Sequence, residues 1–301
     1  KKCFYCSSSI VRKNGFKNGK QQYKCYTCRK NFLGGDRLES TRLWQEFVEG
    51  KQTYAQLAVK YGCSIRTIQR KIDAYVVSFT TPKAREVIVL MDTTYWGRNF
   101  GVMLFKDSIS GENLLKYYVK YETNALYQQG INELKVKGFS ILAIVCDGRK
   151  GLTQSFKEIP IQMCQFHQAA ILRRYLTKRP KLQSARELME VADLMKQTDK
   201  ESFTGALQMW FDKWQWFLDE RSTNSTTGKS FYTHKRLRSA ARSLKNNLPW
   251  LFTWYDNIEI GIPNTTNSID GHFADLKNKL RNHNGLSENR KRKFINEFLK
   301  V

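Results

Sequence analysis

The sequence predicts an α/β fold built around a mixed sheet, and three observations carry that prediction. Residues 87–91 are an unbroken apolar run, rich in β-branched side chains, that stops at Asp92. A second run, 141–146, stops at Asp147 and leads into Gly148-Arg149-Lys150-Gly151. Short continuous runs of this kind read as buried strands. Between them, residues 99–106 and 113–120 read as two more strands joined by a turn at 107–111, and 123–137 as a helix with Leu126, Ile131 and Leu134 facing inward. The first three strands then form an antiparallel meander, and the fourth returns parallel to the first after a helical crossover.

This three strands–helix–strand order is that of the ribonuclease H-like fold. It sets the ends of the first and fourth strands side by side, and Asp92 and Asp147 sit at those ends. Either aspartate alone fits a turn cap. Two carboxylates held close repel each other and favour a divalent cation. Residues 159–163 read as a fifth strand, followed by Cys164-x-x-His167 at a helix start. Two ligand-type residues do not make a zinc site, so hydrogen bonding for His167 and core packing for Cys164 are the default roles.

Residues 182–254 read as mostly helical. Phe203, Leu207, Trp210, Trp214 and Phe217 form an apolar stripe, 222–229 a polar loop, and His234, Lys235, Arg236, Arg238, Arg242 and Lys245 a basic stretch. In the last informative element, Ile269, Phe273, Leu276 and Leu280 give a buried face to a helix opened by Pro263-Asn264-Thr265-Thr266-Asn267-Ser268. Asp270, Lys277 and Arg281 share another face, an acid followed by two cations, as a metal–phosphate cleft requires. The run Arg290-Lys291-Arg292-Lys293 is expected to be a mobile basic tail.

Ahead of the sheet, Cys3-x-x-Cys6 and Cys25-x-x-Cys28 have the spacing of a four-thiolate zinc site. Residues 11–15 and 21–24 between them read as a hairpin, which makes residues 1–35 a zinc ribbon with a closed, structural ion. Its lysines and arginines suit a DNA contact. Residues 36–80 read as a helix-turn-helix domain. Thr53 caps one helix, Gly62 permits the turn, and Ser64 caps a second helix. Ile65, Ile68 and Ile72 face inward there, while Arg66, Thr67, Gln69, Arg70 and Lys71 face the major groove. A plain helical hairpin is the competing reading. The domain boundary falls at the linker Thr80-Thr81-Pro82-Lys83.

Charge narrows the partners. The net charge is +24, and its excess lies at the ends: 16 basic against 5 acidic side chains over 1–80, 20 against 15 over 81–219, and 15 against 7 over 220–301. That distribution suits a polyanion gripped around a central site. A membrane surface is the rival partner, but no basic helix with a clean apolar face stands out, and no apolar run is long enough to span a bilayer. No signal peptide is visible. Seven cysteines, four of them paired as above, point to metal binding in a reducing compartment and away from a disulfide framework.

Four segments together resemble the Mutator-like DDE transposases of bacterial insertion sequences, in the branch with an N-terminal zinc ribbon. They are Asp92-Thr93-Thr94-Tyr95-Trp96-Gly97, Cys146-Asp147-Gly148-Arg149-Lys150-Gly151, Gln162-Met163-Cys164-Gln165-Phe166-His167-Gln168, and Pro263-Asn264-Thr265-Thr266-Asn267-Ser268-Ile269-Asp270-Gly271. The resemblance implies a ribonuclease H-like core over 85–181, an all-helical insertion over 182–255, and a return to the core over 256–301. It also implies Mg²⁺ or Mn²⁺ at Asp92, Asp147 and Asp270, zinc at the four cysteines, and Cys164 and His167 near the active site. Arg149, Lys150, Lys277 and Arg281 would hold phosphates. The partners implied are double-stranded DNA, as terminal inverted repeats and target, and further copies of the chain, in the bacterial cytoplasm on the nucleoid. One departure is plain: the family places Glu where this chain has Asp270, and the aspartate reaches about 1.5 Å less. Glu259 is the fallback ligand. A ribonuclease H-fold nuclease without strand transfer, and a transposase-derived DNA-binding protein without catalysis, are the alternative functions.

Overall fold

The computed structural model describes residues 1–34 and 38–301, so the expected ribbon boundary at 35/36 lies outside the described residues. The chain divides into two compact units, Lys1–Val77 with Lys279–Phe294, and Ser78–Asn278 with Ile295–Val301.

The first unit opens with a three-stranded antiparallel sheet, β1 (Val11–Lys17), β2 (Lys20–Cys25) and β3 (Asn31–Leu33), in that order. Asn18 and Gly19 join β1 to β2 with φ of 51° and 70°. Two left-handed residues give the two-residue turn that matches strand twist. The hairpin is longer than expected, and β3 was not foreseen. Three helices follow. In α1 (Ser40–Val48), Leu43, Trp44, Phe47 and Val48 are buried. Helix α2 (Tyr54–Tyr61) starts on a capping box between Thr53 and Gln56 and ends on left-handed Gly62. Helix α3 (Ile65–Ala74) is capped by Ser64 and buries Ile68 and Ile72. Ile65, expected inside, is 47% exposed, because it is the first helical residue and lies before the buried stripe begins.

In the second unit, β4 (Glu86–Tyr95), β5 (Gly101–Asp107), β6 (Asn113–Val119), β7 (Ser140–Cys146) and β8 (Ile161–Met163) form one mixed sheet in the order β6-β5-β4-β7-β8. The pairs β4–β5 and β5–β6 are antiparallel, whereas β4–β7 and β7–β8 are parallel. This is the strand order of a ribonuclease H-like core. Helix α4 (Asn124–Val136) packs Tyr127, Ile131 and Leu134 against Val87, Val89, Met91 and Phe105 on one face. Gly130 permits that approach: a Cβ there would stand 2.0 Å from the Phe105 ring.

Helices α5 (Gln165–Leu176), α6 (Gln183–Leu194), α7 (Lys200–Asp219) and α8 (Lys235–Leu251) build a second core from Leu172, Leu188, Phe203, Leu207, Trp210 and Leu244. The aromatic stripe therefore packs inward. The segment between α7 and α8 is not a plain loop, since β9 (Arg221–Thr223) pairs with β10 (Ser230–Tyr232). A short α9 (Thr253–Asp256), α10 (Asn267–Arg281) and α11 (Glu288–Leu299) complete the chain. The basic run at 290–293 is helical, not a mobile tail. In the first unit Arg290 pairs with Asp73 at 2.6 Å, and the Lys293 ammonium donates to the Ile72 and Asp73 carbonyls at 2.7 and 2.8 Å. A cation on the last carbonyls of α3 satisfies groups that the helix itself leaves unpaired.

Candidate functional site

Two sets of ligand-type side chains stand out. At the N-terminus, the two cysteine pairs are built alike. The Cys3 amide donates to the Ser8 carbonyl and the Cys25 amide to the Lys30 carbonyl, at 2.7 and 3.0 Å. Ser7 and Arg29, each following the second cysteine of its pair, are both left-handed at φ 58°. The four sulfurs lie within 4.8 Å of one another, with Cys3 to Cys28 at 3.5 Å and Cys6 to Cys25 at 3.6 Å. Backbone amides of Cys28 and Thr27 pull the Cys25 thiol down to about 6. Against the pull of a Ser8 backbone hydrogen bond, loss of water and the thiols of Cys28, Cys25 and Cys3 push Cys6 up to about 12. Cys25 is thus made easier to ionise and Cys6 harder, and zinc would stabilise all four as thiolates. The set fits a structural zinc site, with no position left over for a substrate.

The second set belongs to the sheet. Parallel pairing of β4 with β7 ends at Leu90↔Val145. Continued two residues along both chains, that register brings Asp92 level with Asp147. Asp92 still pairs with Leu104 on its β5 side, so β4 supports it rigidly. Strand alternation puts Asp92 on the face of Ile88 and Leu90, opposite α4. From that face, the Lys106 ammonium reaches the Ser268 carbonyl in the first turn of α10 at 3.3 Å, and Asp270 lies in the same turn. Burial raises the Asp92 carboxyl to about 7, with Asp270 and Asp147 adding to it and the Thr93 amide and His167 opposing it. Asp92 therefore feels the charge of both other predicted acids. Among the described residues, however, no second group of three or more His, Cys, Asp or Glu side chains closes up as the four thiols do.

Cys164 and His167 join the acids through Thr266, which is fully buried. The Thr266 hydroxyl lies 3.0 Å from Asp270 Oδ2, 3.3 Å from Cys164 Sγ and 3.4 Å from His167 Nδ1. It carries one proton, and the carboxylate is the nearest and strongest acceptor. His167 is pushed up to about 9, first by its hydrogen bond to Cys164 and then, against burial, by the charges of Cys164, Asp270 and Asp92. Cys164 is itself fully buried, so this is a network of support and not an accessible nucleophile.

Other site residues are placed less simply. The Arg149 amide donates to Asp147 Oδ1 at 3.3 Å, and its guanidinium is committed to Asn124 Oδ1 and the Glu122 carbonyl at 2.8 and 2.9 Å. A phosphate role for Arg149 requires releasing those partners. Lys150, Lys277 and Arg281 are exposed. On α3, Arg66 and Arg70 are exposed while Thr67, Gln69 and Lys71 are half-buried. Glu122 escaped the sequence reading. Burial, then the nearby Asp147 charge, raises its carboxyl, and it accepts from Tyr127 Oη at 2.9 Å. No sequence signal marks it, for it is a lone acid before a helix cap. A groove of about 470 Å³ beside Asp147, lined by Gly148, Lys150, Asn246, Asn247 and Trp250, also joins the core to α8.

No helix among the described residues is long and apolar enough to cross a membrane. No protein-family model matches the chain, and no curated protein matches it. Among solved structures, it is similar to the HTLV-2 integrase catalytic core domain in complex with magnesium, in its dimeric form. The identity is 15% over 50% of this chain and 94% of that one, with a TM-score of 0.22. It is also similar to a chain of the simian T-cell lymphotropic virus intasome in complex with PP2A regulatory subunit B56 gamma. There the identity is 12%, over 64% of this chain and 72% of that one, with a TM-score of 0.23.

Proposed function

We propose that this chain is a DNA transposase of the three-acid type, which cuts the ends of a DNA element and joins them to a target. The observation that carries the reading is the placement of Asp92: on a rigid strand, level with Asp147, with its carboxyl pushed up by burial and then by the charges of Asp270 and Asp147. An all-oxygen set of acids suits a hard divalent cation such as Mg²⁺, and Asp92, Asp147 and Asp270 would hold it. When bound, such a cation acidifies an attacking hydroxyl and stabilises the leaving oxygen in phosphoryl transfer.

The chain's own groups do the rest. Thr266 fixes the Asp270 carboxylate through its hydroxyl. Charged His167 offsets the like charges around Asp92. Glu122 and Arg149 anchor the loop that carries Asp147. Exposed Lys150 and Lys277 are available to phosphate oxygens. Helix α3, entering the major groove with Arg66 and Arg70, would supply sequence recognition together with Thr67, Gln69 and Lys71.

The test is incubation of the purified chain with Mg²⁺, duplexes taken from the DNA on either side of its coding sequence, and a supercoiled plasmid. Cut ends covalently joined to plasmid are expected, and Asp92→Asn, Asp147→Asn and Asp270→Asn should each abolish them. Cutting without joining would favour a nuclease. Binding without either, under Mg²⁺ and Mn²⁺ alike, would favour a DNA-binding protein without catalysis.

A further inference from the structure

We infer that the N-terminal cysteine module is a docking surface for single-stranded DNA, held by stacking unpaired bases on exposed aromatic rings. Residues 1–33 contain nine lysines and arginines and no acidic residue. Four aromatic rings stand out of the same segment: Phe4 is 78% exposed, Phe16 75%, Tyr5 55% and Tyr26 54%. Among the described residues the chain has nine such exposed rings, so nearly half fall in about a ninth of its length. Rings this open contribute little to holding the module together, a task met by the hairpin and the four thiols.

Cations lie beside two of these rings. The Lys30 ammonium lies 4.8 Å from the Tyr5 ring centre and the Arg12 guanidinium 5.4 Å from that of Tyr26. Phe4 and Tyr5 meet edge to face at 5.8 Å, so their planes offer two perpendicular surfaces. Both line a groove of about 520 Å³ with Lys1, Lys2, Lys17 and Phe32, a size within the range of about 300–1,000 Å³ typical of ligand clefts.

Single-stranded nucleic acid alternates the same two features, a flat apolar base and a phosphate, and proteins that bind it without sequence preference pair aromatic platforms with a cationic track. Duplex DNA keeps its base faces inside the stack and would use the cations alone. The inference stands independently of the carboxylate site. It commits to DNA because the remaining cationic surface is read as serving DNA.

The experiment uses the full zinc-loaded chain and fluorescence anisotropy, with a labelled oligothymidine of roughly 20 nucleotides. The comparison probes are the same strand with abasic sites, a duplex of equal phosphate number, and an oligouridine. Wild-type protein should bind oligothymidine about tenfold more tightly than the abasic strand. The double variant Phe4→Ala/Tyr5→Ala should lose that margin, keep its affinity for abasic strand and duplex, and keep the slope of affinity against salt. Phe4→Trp should retain it, and zinc content reports that each variant is folded. Equal binding of oligothymidine and abasic strand by wild type would overturn the inference without any variant. A folded double variant that binds oligothymidine like wild type, or weakens on all probes alike, would overturn it too. A clear preference for oligouridine would overturn the assignment to DNA.

Discussion

The thiol set and the carboxylate set are assembled in opposite ways. The four thiols come from two tandem pairs at the two ends of one hairpin, built by the same backbone turn twice, and they close to within 4.8 Å. The three acids come from a strand, the end of another strand, and a helix more than a hundred residues further on. Protonated thiols approach one another cheaply, because each can donate to the next. Carboxylates cannot do so without a proton or a cation between them. A closed sulfur set is therefore part of folding, whereas an open oxygen set on a rigid sheet remains free to exchange what it holds.

The largest expected effect separates the two. Removing zinc, with a strong chelator or by Cys6→Ser, should release the N-terminal module, since structural zinc contributes on the order of 10 kcal/mol to such folds. Limited proteolysis should then cut within residues 1–33 and leave the sheet of the second unit protected. Unchanged resistance of that segment would show that the thiols are not a folding site. Substituting an acid should do the reverse. Asp92→Asn or Asp147→Asn should slow strand joining by on the order of 10³-fold, with zinc content and proteolysis pattern unaltered. An acid variant with wild-type joining kinetics would remove the carboxylate site from the reaction.

The same contrast decides what could be read from the chain. The cysteine pairs are legible because their geometry is local: spacing alone sets the turns. Asp92 and Asp147 are legible because each closes an apolar run, and strand order then puts the two runs side by side. Glu122 is not legible, for its proximity to Asp147 arises only when α4 returns across the sheet. The role of Thr266 is hidden for a similar reason, since three of its partners come from α5 and the residue before it and from α10. The Arg290–Lys293 run misleads in isolation. Its charges look solvated until Asp73 and the end of α3 are in place to receive them.

A smaller effect probes the sheet without touching a ligand. Gly130→Ala would place a methyl group 2.0 Å from the ring of Phe105, which is fully buried and packed against Tyr117 and Tyr127. Alanine favours helix by about 1 kcal/mol over glycine, but overpacking a core costs about 1–3 kcal/mol. An approach of 2.0 Å lies in the upper part of that range, so net destabilisation of about 1–2 kcal/mol is expected in urea denaturation, with joining activity preserved at temperatures where the variant stays folded. A variant more stable than wild type would mean that α4 does not sit as close to β5 as described.

The smallest effect tests whether Asp92 is held out of water and beside like charge. The Asp92 carboxyl stands at about 7 against an ordinary 3.8. Between those values the folded chain keeps a proton that the unfolded chain has lost, so Asp92 lowers stability progressively as pH rises from about 4 to 7. The full shift would correspond to about 4 kcal/mol, and relaxation around a partly hydrated cluster reduces that to about 1–2 kcal/mol. Asp92→Asn stays neutral at every pH. In Mg²⁺-free buffer it should match wild type near pH 4 and exceed it by that margin at pH 8, while its joining activity is lost. Adding Mg²⁺ should narrow the difference from the wild-type side alone, since the cation stabilises only the chain with all three acids. A stability difference that is the same at pH 4 and pH 8 would mean that Asp92 is neither shielded from water nor crowded by other carboxylates as described.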